Sequence, residues 1–305
     1  MNHVNYGSMN QSLPTYSGQK KDNDVSSLQL NNTGYESFNS VEDGIERIVY
    51  KPKNKKYTTP ILMQHGMYHG AWCWELWQKL FAGWGWENHA YSLPGQGESP
   101  TRRPSYFSTL GYYENFLKKE LKRFETPPII FGHSMGAALI QRVLKDMDNF
   151  PAAVMVAPWS SHSNLKDGIT KLFRLDPIGL ILSVLTCNPT FFIRSPKRAK
   201  AMFLTENSIC SQDMLFKNLN SDSGFVMYGH NPPFWHPSND VKTPMLWMAG
   251  KLDAVLGENG VMESAEFYGV DYIAMENTGH NIMVENNYKE SAQLIHNWLI
   301  KQNIT

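Results

Sequence analysis

Net charge and long apolar runs are both missing from this sequence. Its 28 lysine and arginine residues balance 28 aspartate and glutamate residues. A chain without a basic field is not expected to bind nucleic acid or anionic lipid. No window approaches the roughly 18 consecutive apolar residues that a membrane-spanning helix needs, so no integral membrane association is expected.

Cysteine is scarce, and an apolar N-terminal signal is missing. Cys73, Cys187 and Cys210 are odd in number and widely spaced, a pattern that favours reduced thiols over a disulfide framework. The N-terminal region has no apolar run followed by a cleavage site, so no secretory signal is expected. These features predict a soluble, cytoplasmic protein. The sequence has no C-x-x-C pair, which would indicate a metal site, and no cofactor is expected.

Residues 1–34 are rich in Asn, Ser, Gln, Gly and Lys and have no hydrophobic periodicity. Such a segment cannot bury enough apolar surface to offset its loss of conformational entropy. We therefore expect a disordered polar tail over residues 1–34 and a folded region that begins near Tyr35. The sequence does not indicate an oligomeric state.

Apolar strand patterns alternate with helical patterns through most of the folded region. The predicted strands are short and almost wholly apolar, which is typical of a mostly parallel sheet with helices on both faces. They are Ile45–Tyr50, Ile61–Gln64, His89–Leu93, Ile129–Phe131, Ala152–Ala157, Pro244–Ala249 and Tyr272–Met275. The charged stretch Lys51–Thr59 predicts a hairpin turn. The predicted fold class is α/β.

One long segment interrupts this alternation. Between Pro158 and Asp240 the sequence has several helical patterns but no good strand pattern. A connection of this length without secondary structure is uncommon in a compact domain, so we expect a helical insertion. The predicted organisation is an α/β core over residues 35–158 and 241–305 with a helical cap over residues 159–240. Ligands bind beyond the carboxyl ends of the strands in such sheets, where the cap would lie.

The segment Gly132-His133-Ser134-Met135-Gly136, here called the elbow, fits the G-x-S-x-G pattern of a serine on a sharp strand-to-helix turn. Glycines two positions on either side relieve the crowding that this turn creates. An apolar strand precedes the pattern and an apolar helix follows it, as the pattern requires. We therefore predict that Ser134 is a nucleophile. An ordinary tight turn between a strand and a helix is the alternative.

A serine nucleophile needs a base, and the base needs a carboxylate that orients it. Asp253 and His280 each follow one of the last two predicted strands. Ser134, Asp253 and His280 thus occur in the order Ser…Asp…His that is expected for this architecture. Alternatives remain, since Asp253 could cap the next helix while Glu258 serves as the acid, and His280 could be an exposed loop histidine.

Acyl transfer also needs hydrogen-bond donors for the oxyanion. The predicted donors are the backbone N–H groups of Met135, directly after the serine, and of Met67, in the loop after the strand Ile61–Gln64. His65 and His69 in the same loop are four residues apart, a spacing that can bind zinc on a helix. The glycines beside both histidines favour a loop instead, so no metal is expected.

These motifs together resemble the α/β-hydrolase superfamily over about residues 41–301. The resemblance is carried by the elbow and by His65 to Trp74 (H-G-M-Y-H-G-A-W-C-W), Leu93 to Ser99 (L-P-G-Q-G-E-S), Gly250 to Asp253, and Gly279-His280. The motif from His65 to Trp74 is similar to that of the branch that holds bacterial carboxylesterases and lysophospholipase-like enzymes, and plant methylesterases and hydroxynitrile lyases share this motif. The resemblance implies the α/β-hydrolase fold, with an eight-stranded sheet, a cap and a serine mechanism.

Two departures from related enzymes narrow the chemistry. Hydroxynitrile lyases of this type usually carry threonine at the position of Gly66 and lysine at that of Asn281, so cyanohydrin cleavage is not expected. Epoxide hydrolases and haloalkane dehalogenases need an aspartate at the position of Ser134. We predict a serine hydrolase for small-molecule carboxylic esters with short-to-medium apolar acyl chains. A thioesterase, a lactonase, a receptor without turnover and a scaffold are the alternatives.

The predicted substrate pocket is apolar and adaptable. Methionine side chains fill irregular space, and aromatic residues near the two ends of the cap are expected at the entrance. Besides the catalytic residues, the predicted pocket residues are His65, Gly66, Tyr68, His133, Trp159, Trp235 and Met283. For each aromatic residue, packing within the cap is the alternative role.

Overall fold

A computed structural model describes residues 34–162 and 164–304 of the chain. The eight strands of the described sheet are β1 (Tyr35–Glu42), β2 (Ile45–Pro52), β3 (Ile61–Gln64), β4 (Asn88–Tyr91), β5 (Ile129–His133), β6 (Ala153–Val156), β7 (Met245–Gly250) and β8 (Asp271–Met275). Their order in the sheet is β1-β2-β4-β3-β5-β6-β7-β8. β2 pairs antiparallel with β1 and β4, and all other neighbours are parallel. The predicted mostly parallel sheet is confirmed.

The helices in the described part of the chain lie mainly between the strands. They are α1 (Glu75–Trp84), α2 (Leu110–Leu121), α3 (Met135–Leu144), α4 (Asn164–Leu175), α5 (Pro177–Thr186), α6 (Pro196–Phe203), α7 (Gln212–Asn218), α8 (Gly224–Tyr228), α9 (Glu258–Tyr268) and α10 (Tyr288–Lys301). Short 3₁₀ helices occur at Ala71–Trp74, Ser105–Phe107, Pro189–Ile193 and Ile282–Val284. None of the helices within the described residues combines the length and the apolar character needed to cross a membrane.

Helices cover both faces of the sheet because successive strand residues point in opposite directions. Leu62 and Ile130 point to one face and belong to a buried cluster with residues of α2, α3 and α9. Their neighbours Met63 and Phe131 point to the other face and cluster with residues of α1 and α10. The parallel strands are buried on both sides, which explains why they are apolar throughout.

Two features at one edge of the sheet differ from the sequence prediction. The stretch Lys51–Thr59 is not a hairpin turn, because β2 pairs with β1 and β4 and not with β3. The sequence pattern also fails to predict β1, since most residues of this edge strand are polar and exposed. The predicted polar tail, residues 1–34, lies outside the described residues except for Gly34.

Between β6 and β7 the described residues form α4 to α8 and no strand. Side-chain caps explain where four of these helices begin. Asp176, Ser195, Ser211 and Ser223 each accept a hydrogen bond from a backbone N–H group in the first turn of α5, α6, α7 and α8, respectively. Proline occupies the first position of α5 and of α6, where its missing N–H group costs nothing. The role of residues 159–240 as a cap stays a prediction.

Candidate active site

Ser134 lies on a strained turn between β5 and α3. Its φ is 52° and its ψ is −118°, a backbone conformation that residues with side chains rarely adopt. The surrounding sheet holds this conformation, because the N–H group of Ser134 donates to the carbonyl of Val156 in β6 at 3.0 Å. The serine is therefore presented at the carboxyl end of β5, directly at the start of a helix.

The glycines on either side of this turn leave no room for a side chain. A Cβ atom at Gly132 would lie 2.7 Å from the backbone nitrogen of Ala137, and one at Gly136 would lie 2.7 Å from the carbonyl oxygen of His65. Both contacts are with backbone atoms, which cannot move aside without displacing the turn. The spacing of the G-x-S-x-G pattern thus follows from the close approach of β5, α3 and the loop after β3.

Asp253 and His280 are hydrogen-bonded to each other. Nδ1 of His280 lies 2.7 Å from Oδ2 of Asp253, and both residues are buried. Oδ1 of Asp253 accepts from the backbone N–H groups of Val255 at 2.7 Å and Leu256 at 2.9 Å. Because a carboxylate only accepts hydrogen bonds, Nδ1 of His280 carries the hydrogen and Nε2 is left to accept a proton.

Ser134 and His280 line the same cavity. Within the described residues, the hydroxyl group of Ser134 makes no hydrogen bond to the imidazole. Catalytic hydrogen bonds are often long or misaligned without substrate and tighten when it binds. His133 contacts His280 at both backbone and ring, since its Nε2–H group donates to the backbone carbonyl of His280 at 3.1 Å and the two ring centroids lie 4.8 Å apart. Burial holds the pKa of His133 well below its ordinary value, so this ring is neutral.

The loop after β3 lies against the serine and contains the second candidate backbone donor, Met67. The N–H groups of Met67 and Met135 make no hydrogen bonds to other described residues, so both can bind an oxyanion. Gly66 permits the close approach, because a Cβ atom at this position would lie 2.8 Å from the Cβ of Ser134. The loop and the elbow are therefore in direct contact.

The histidines of this loop are buried and hold it in place. Nδ1–H of His65 donates to the carbonyl of the next residue at 2.8 Å, and its Nε2 accepts from the N–H of Leu93 at 3.0 Å. Nδ1–H of His69 donates to the carbonyl of Met67 at 2.7 Å, and its Nε2 accepts from the side chain of Asn281 at 2.9 Å. Burial lowers the pKa of His65 to about 4 and that of His69 to about 3. Each ring nitrogen is thus already used within the scaffold.

Replacing Gly66 with alanine is expected to lower both stability and activity. The new Cβ would press on the Cβ of Ser134 and lie 3.0 Å from the carbonyl oxygen of His133. We expect the free energy of unfolding to fall by about 1–3 kcal/mol, as in other overpacked interiors. Displacement of the serine should lower kcat for the ester hydrolysis that the sequence predicts by about 10- to 100-fold. Urea unfolding and an esterase assay measure the two effects.

Gly111 provides the matched control for this substitution. It lies in α2, where an added Cβ would meet no atom within 4 Å. Gly111→Ala should leave kcat unchanged and raise stability by about 0.5–1 kcal/mol, because alanine favours the helix. Equal losses from both substitutions would contradict the close approach at Gly66.

The cavity beside Ser134 is mostly apolar and encloses about 530 Å³ of empty space, the solvent at its mouth included. Of the residues predicted from the sequence, Met67, Tyr68, Ser134, Trp159 and His280 line it. The remaining lining comes mainly from the segment between β6 and β7 and from the loop after β7. These residues are Gly168, Leu172, Phe192, Met202, Phe203, Met227, Val255 and Leu256.

Five predicted pocket residues do not line this cavity: His65, Gly66, His133, Trp235 and Met283. The histidines and the glycine support the loops from behind, and Met283 is fully buried in the cluster on the α1 and α10 face. The indole N–H of Trp235 donates to the carbonyl of Ser161 at 2.6 Å, and its ring stacks on that of His230. Packing within the helical segment is therefore the role of Trp235.

Sequence reasoning does not identify the lining residues that α4, α6 and α8 contribute, namely Gly168, Leu172, Met202, Phe203 and Met227. Helical periodicity indicates which positions are apolar, but it does not tell which of them face a cavity and which face another helix. Within the described residues, no group of three or more His, Cys, Asp or Glu side chains is arranged to hold a metal ion.

A buried carboxylate, Asp222, joins the helical segment to the loop after β3. Its Oδ1 accepts from the hydroxyl of Tyr113 at 3.1 Å and the N–H of Ser223 at 2.8 Å. Its Oδ2 accepts from the N–H of Tyr68 at 3.4 Å and the side-chain amide of Gln96 at 3.5 Å. None of these four partners is a cation, and burial raises the pKa of Asp222 to about 6.

Tyr68 is fixed on both sides by the same short segment. Its φ is 65°, in the left-handed region, and its carbonyl accepts from the N–H of Asn220 at 2.9 Å. Its own N–H donates to Asp222. Because Tyr68 directly follows Met67, residues Asn220–Asp222 help to position the second candidate oxyanion donor.

Replacing Asp222 with asparagine should change how stability depends on pH. The folded-state pKa of about 6 exceeds the ordinary value of 3.8, so the folded state binds the proton more tightly than the unfolded state. The stability that this proton contributes is fully present below about pH 4 and is lost as pH rises to about 6. The loss is roughly 2–3 kcal/mol. Asparagine does not titrate, so the free energy of unfolding of Asp222→Asn does not include this loss. The difference between the variant and the wild type should therefore shift in favour of the variant by this amount between pH 4 and pH 7.5.

Urea unfolding at both pH values measures this difference. Asp240→Asn, at an exposed position, serves as the control and should give nearly the same difference at both pH values. A difference for Asp222→Asn that does not change with pH would contradict the expected titration of the buried carboxyl group.

The chain matches the alpha/beta hydrolase family over residues 61–294. Because this match covers more than half of the chain, the protein belongs to the alpha/beta hydrolase family, and its sheet order and flanking helices are those of the alpha/beta hydrolase fold. No curated relative matches the sequence.

Several solved structures resemble the protein over most of its length. The monoacylglycerol lipase of Paleococcus ferrophilus is 19% identical, with 85% of this chain and 99% of that chain covered and a TM-score of 0.61. A thermophilic esterase from Thermogutta terrifontis is 14% identical, with 88% and 99% covered and a TM-score of 0.64. The N-acyl homoserine lactonase AidH, in complex with N-hexanoyl homoserine, is 13% identical, with 89% and 98% covered and a TM-score of 0.66. At these identities the likeness shows the shared fold.

Proposed function

We propose that the protein is a serine hydrolase that cleaves carboxylic esters with short-to-medium apolar acyl chains. Ser134 is the nucleophile, His280 is the general base, and Asp253 orients the base. The observation that carries this proposal is the 2.7 Å hydrogen bond from His280 to Asp253 beside an apolar cavity that His280 shares with the strained Ser134.

The proposed reaction follows from where the protons lie. Nδ1–H of His280 faces the carboxylate of Asp253, so Nε2 can take the proton of the Ser134 hydroxyl as the oxygen attacks the ester carbonyl. The N–H groups of Met67 and Met135 stabilise the tetrahedral oxyanion. His280 then returns the proton to the leaving alcohol. Water hydrolyses the acyl-enzyme with His280 again acting as base.

The apolar lining of the cavity supports the proposed acyl specificity. Leu172, Phe192 and Met202 offer no charged or hydrogen-bonding groups, so an aliphatic chain gains more from burial there than a polar one. We infer that residues 159–240 act as the cap, because several of these lining residues come from this segment. Membership of the carboxylesterase and lysophospholipase-like branch is part of the same proposal and is supported by the motif that begins at His65.

Lactones and thioesters are the second substrate class, since the same nucleophile and oxyanion donors would attack their carbonyl groups. The lactonase AidH shares the fold, which makes a lactone series a reasonable part of the substrate panel. An N-acyl lactone and an oxygen ester of equal acyl length separate these possibilities through their kcat/KM values.

A p-nitrophenyl ester series from acetate to decanoate, combined with a fluorophosphonate probe, tests the proposal. We expect stoichiometric labelling of Ser134 and multiple turnovers, with kcat/KM highest for short-to-medium acyl chains. Labelling without sustained turnover would favour a ligand receptor on the same fold. The absence of both labelling and turnover would contradict the proposed nucleophile.

A further inference from the structure

Helix α5 presents an apolar face to solvent. Ile178, Ile181, Val184 and Leu185 are 62%, 54%, 57% and 78% exposed, and their spacing puts them on one side of the helix. The buried residues of the helix are the small residues Gly179 and Ser183, and Leu180 is the large apolar residue of α5 that packs, partly buried, against the core. A surface helix normally has the reverse arrangement, with its large apolar residues turned inward.

The neighbouring helix α4 extends this surface. Ile169 and Phe173 are 46% and 57% exposed, whereas Gly168 and Leu172 of the same helix line the cavity. Six large apolar side chains are thus exposed within two consecutive helices, here called the α4–α5 face. Exposed apolar surface on this scale marks an interaction site.

The segment that carries this face has an excess of positive charge, although the chain as a whole is neutral. Residues 164–200 contain seven lysines and arginines but only two aspartates. The expectation that balanced charge excludes an attraction to anionic lipid therefore does not hold for this segment, because attraction depends on local charge within about one Debye length, roughly 10 Å.

Specific contacts fix several of these cations at the N-terminal end of α5. Arg194 forms an ion pair with Asp176, the residue that caps α5, and a guanidinium N–H of Arg198 donates to the carbonyl of Leu175 at 3.0 Å. Arg174, in the last turn of α4, is exposed and forms no ion pair within the described residues. Asp176 therefore faces two guanidinium groups, those of Arg194 and Arg198, and the guanidinium group of Arg174 has no carboxylate partner within the described residues.

We propose that the α4–α5 face docks on the surface of a lipid bilayer that contains anionic lipid. The apolar side chains enter the boundary between headgroups and acyl chains, and the cations contact the anionic headgroups, as in other interfacial helices. A second copy of the chain fits less well, because two such faces would bring cations of like sign together. Docking goes beyond the proposed ester hydrolysis and does not depend on it.

Sedimentation with vesicles tests the proposal. Wild-type protein should partition onto vesicles of phosphatidylcholine with about one third phosphatidylglycerol, and much less onto pure phosphatidylcholine or at about 1 M salt. The double variant Ile181→Ser/Leu185→Ser should lower the partition coefficient by at least about tenfold. Arg174→Gln should lower it about fivefold on anionic vesicles only.

Val41→Ser is the matched control, because Val41 is 51% exposed on edge strand β1, outside the α4–α5 face. It should bind vesicles as the wild type does. The Ser134→Ala variant should also bind, so loss of hydrolysis and loss of docking are measured separately. Equal binding by the wild type and the double variant, or no binding by the wild type, would overturn the proposal. A wild-type dimer that the double variant converts to a monomer, without vesicle binding, would assign the face to a second copy instead.

Discussion

The Ser134→Ala variant is expected to lose at least about 10³-fold in kcat for ester hydrolysis. Alanine has no oxygen that can form the acyl-enzyme, and the remaining members of the site act as a unit with the nucleophile. The fold should be unaffected, because the hydrogen bonds that hold the turn come from the backbone of residue 134. The p-nitrophenyl butyrate rate and fluorophosphonate labelling measure the loss.

Ser161 provides a matched control for this substitution. It is also buried and follows the neighbouring strand β6, but it does not line the cavity. Ser161→Ala should keep nearly full activity and labelling. Full activity in Ser134→Ala, or equal losses in both variants, would end the proposed mechanism.

Asp253→Asn should lower kcat by roughly 10³-fold through the tautomer of His280. Oδ1 of Asp253 accepts from the N–H groups of Val255 and Leu256, so the amide oxygen of an asparagine would stay with these donors. Its NH₂ group would then face Nδ1 of His280, which would have to become an acceptor. The hydrogen would move to Nε2, and the imidazole could no longer take the serine proton.

Asp271→Asn is the control for this carboxylate. Oδ2 of Asp271 accepts from the ring N–H of Trp298 at 2.6 Å, which is a similar contact at a distance from the cavity. This variant should retain its kcat. If Asp253→Asn keeps more than about a third of the wild-type kcat at pH 8, the orienting role of Asp253 is wrong.

The elbow could be predicted from the sequence because its constraints are local. Gly132 and Gly136 are required by backbone contacts within a few residues of Ser134 and with the loop after β3. The motif is therefore five consecutive residues and can be recognised directly in the sequence. The buried parallel strands were predictable for a similar reason, since burial on both faces demands apolar residues throughout. β1 was not predicted, because an exposed edge strand does not require apolar residues.

Asp222 could not be predicted, because its partners are distant in the chain. Tyr113 and Tyr68 precede it by 109 and 154 residues, and the surrounding serine and asparagine residues indicate only a loop. The residues that line the cavity could not be predicted for the same reason, since they come from parts of the chain that are distant in sequence. Trp235 and Trp159 are both buried tryptophans of the segment between β6 and β7, yet only Trp159 faces the cavity, and this difference depends on tertiary packing alone.

The double attachment of Tyr68 limits how the protein can be divided into modules. Asn220 and Asp222 belong to the helical segment, but they fix the peptide groups next to Met67 in the core. A chimaera that receives its entire helical segment from another family member would exchange the acyl-binding wall and these two attachments together. A transplant that retains residues 220–222 of this chain should therefore alter substrate selectivity and keep the catalytic rate. A complete exchange should alter selectivity and also lower the catalytic rate.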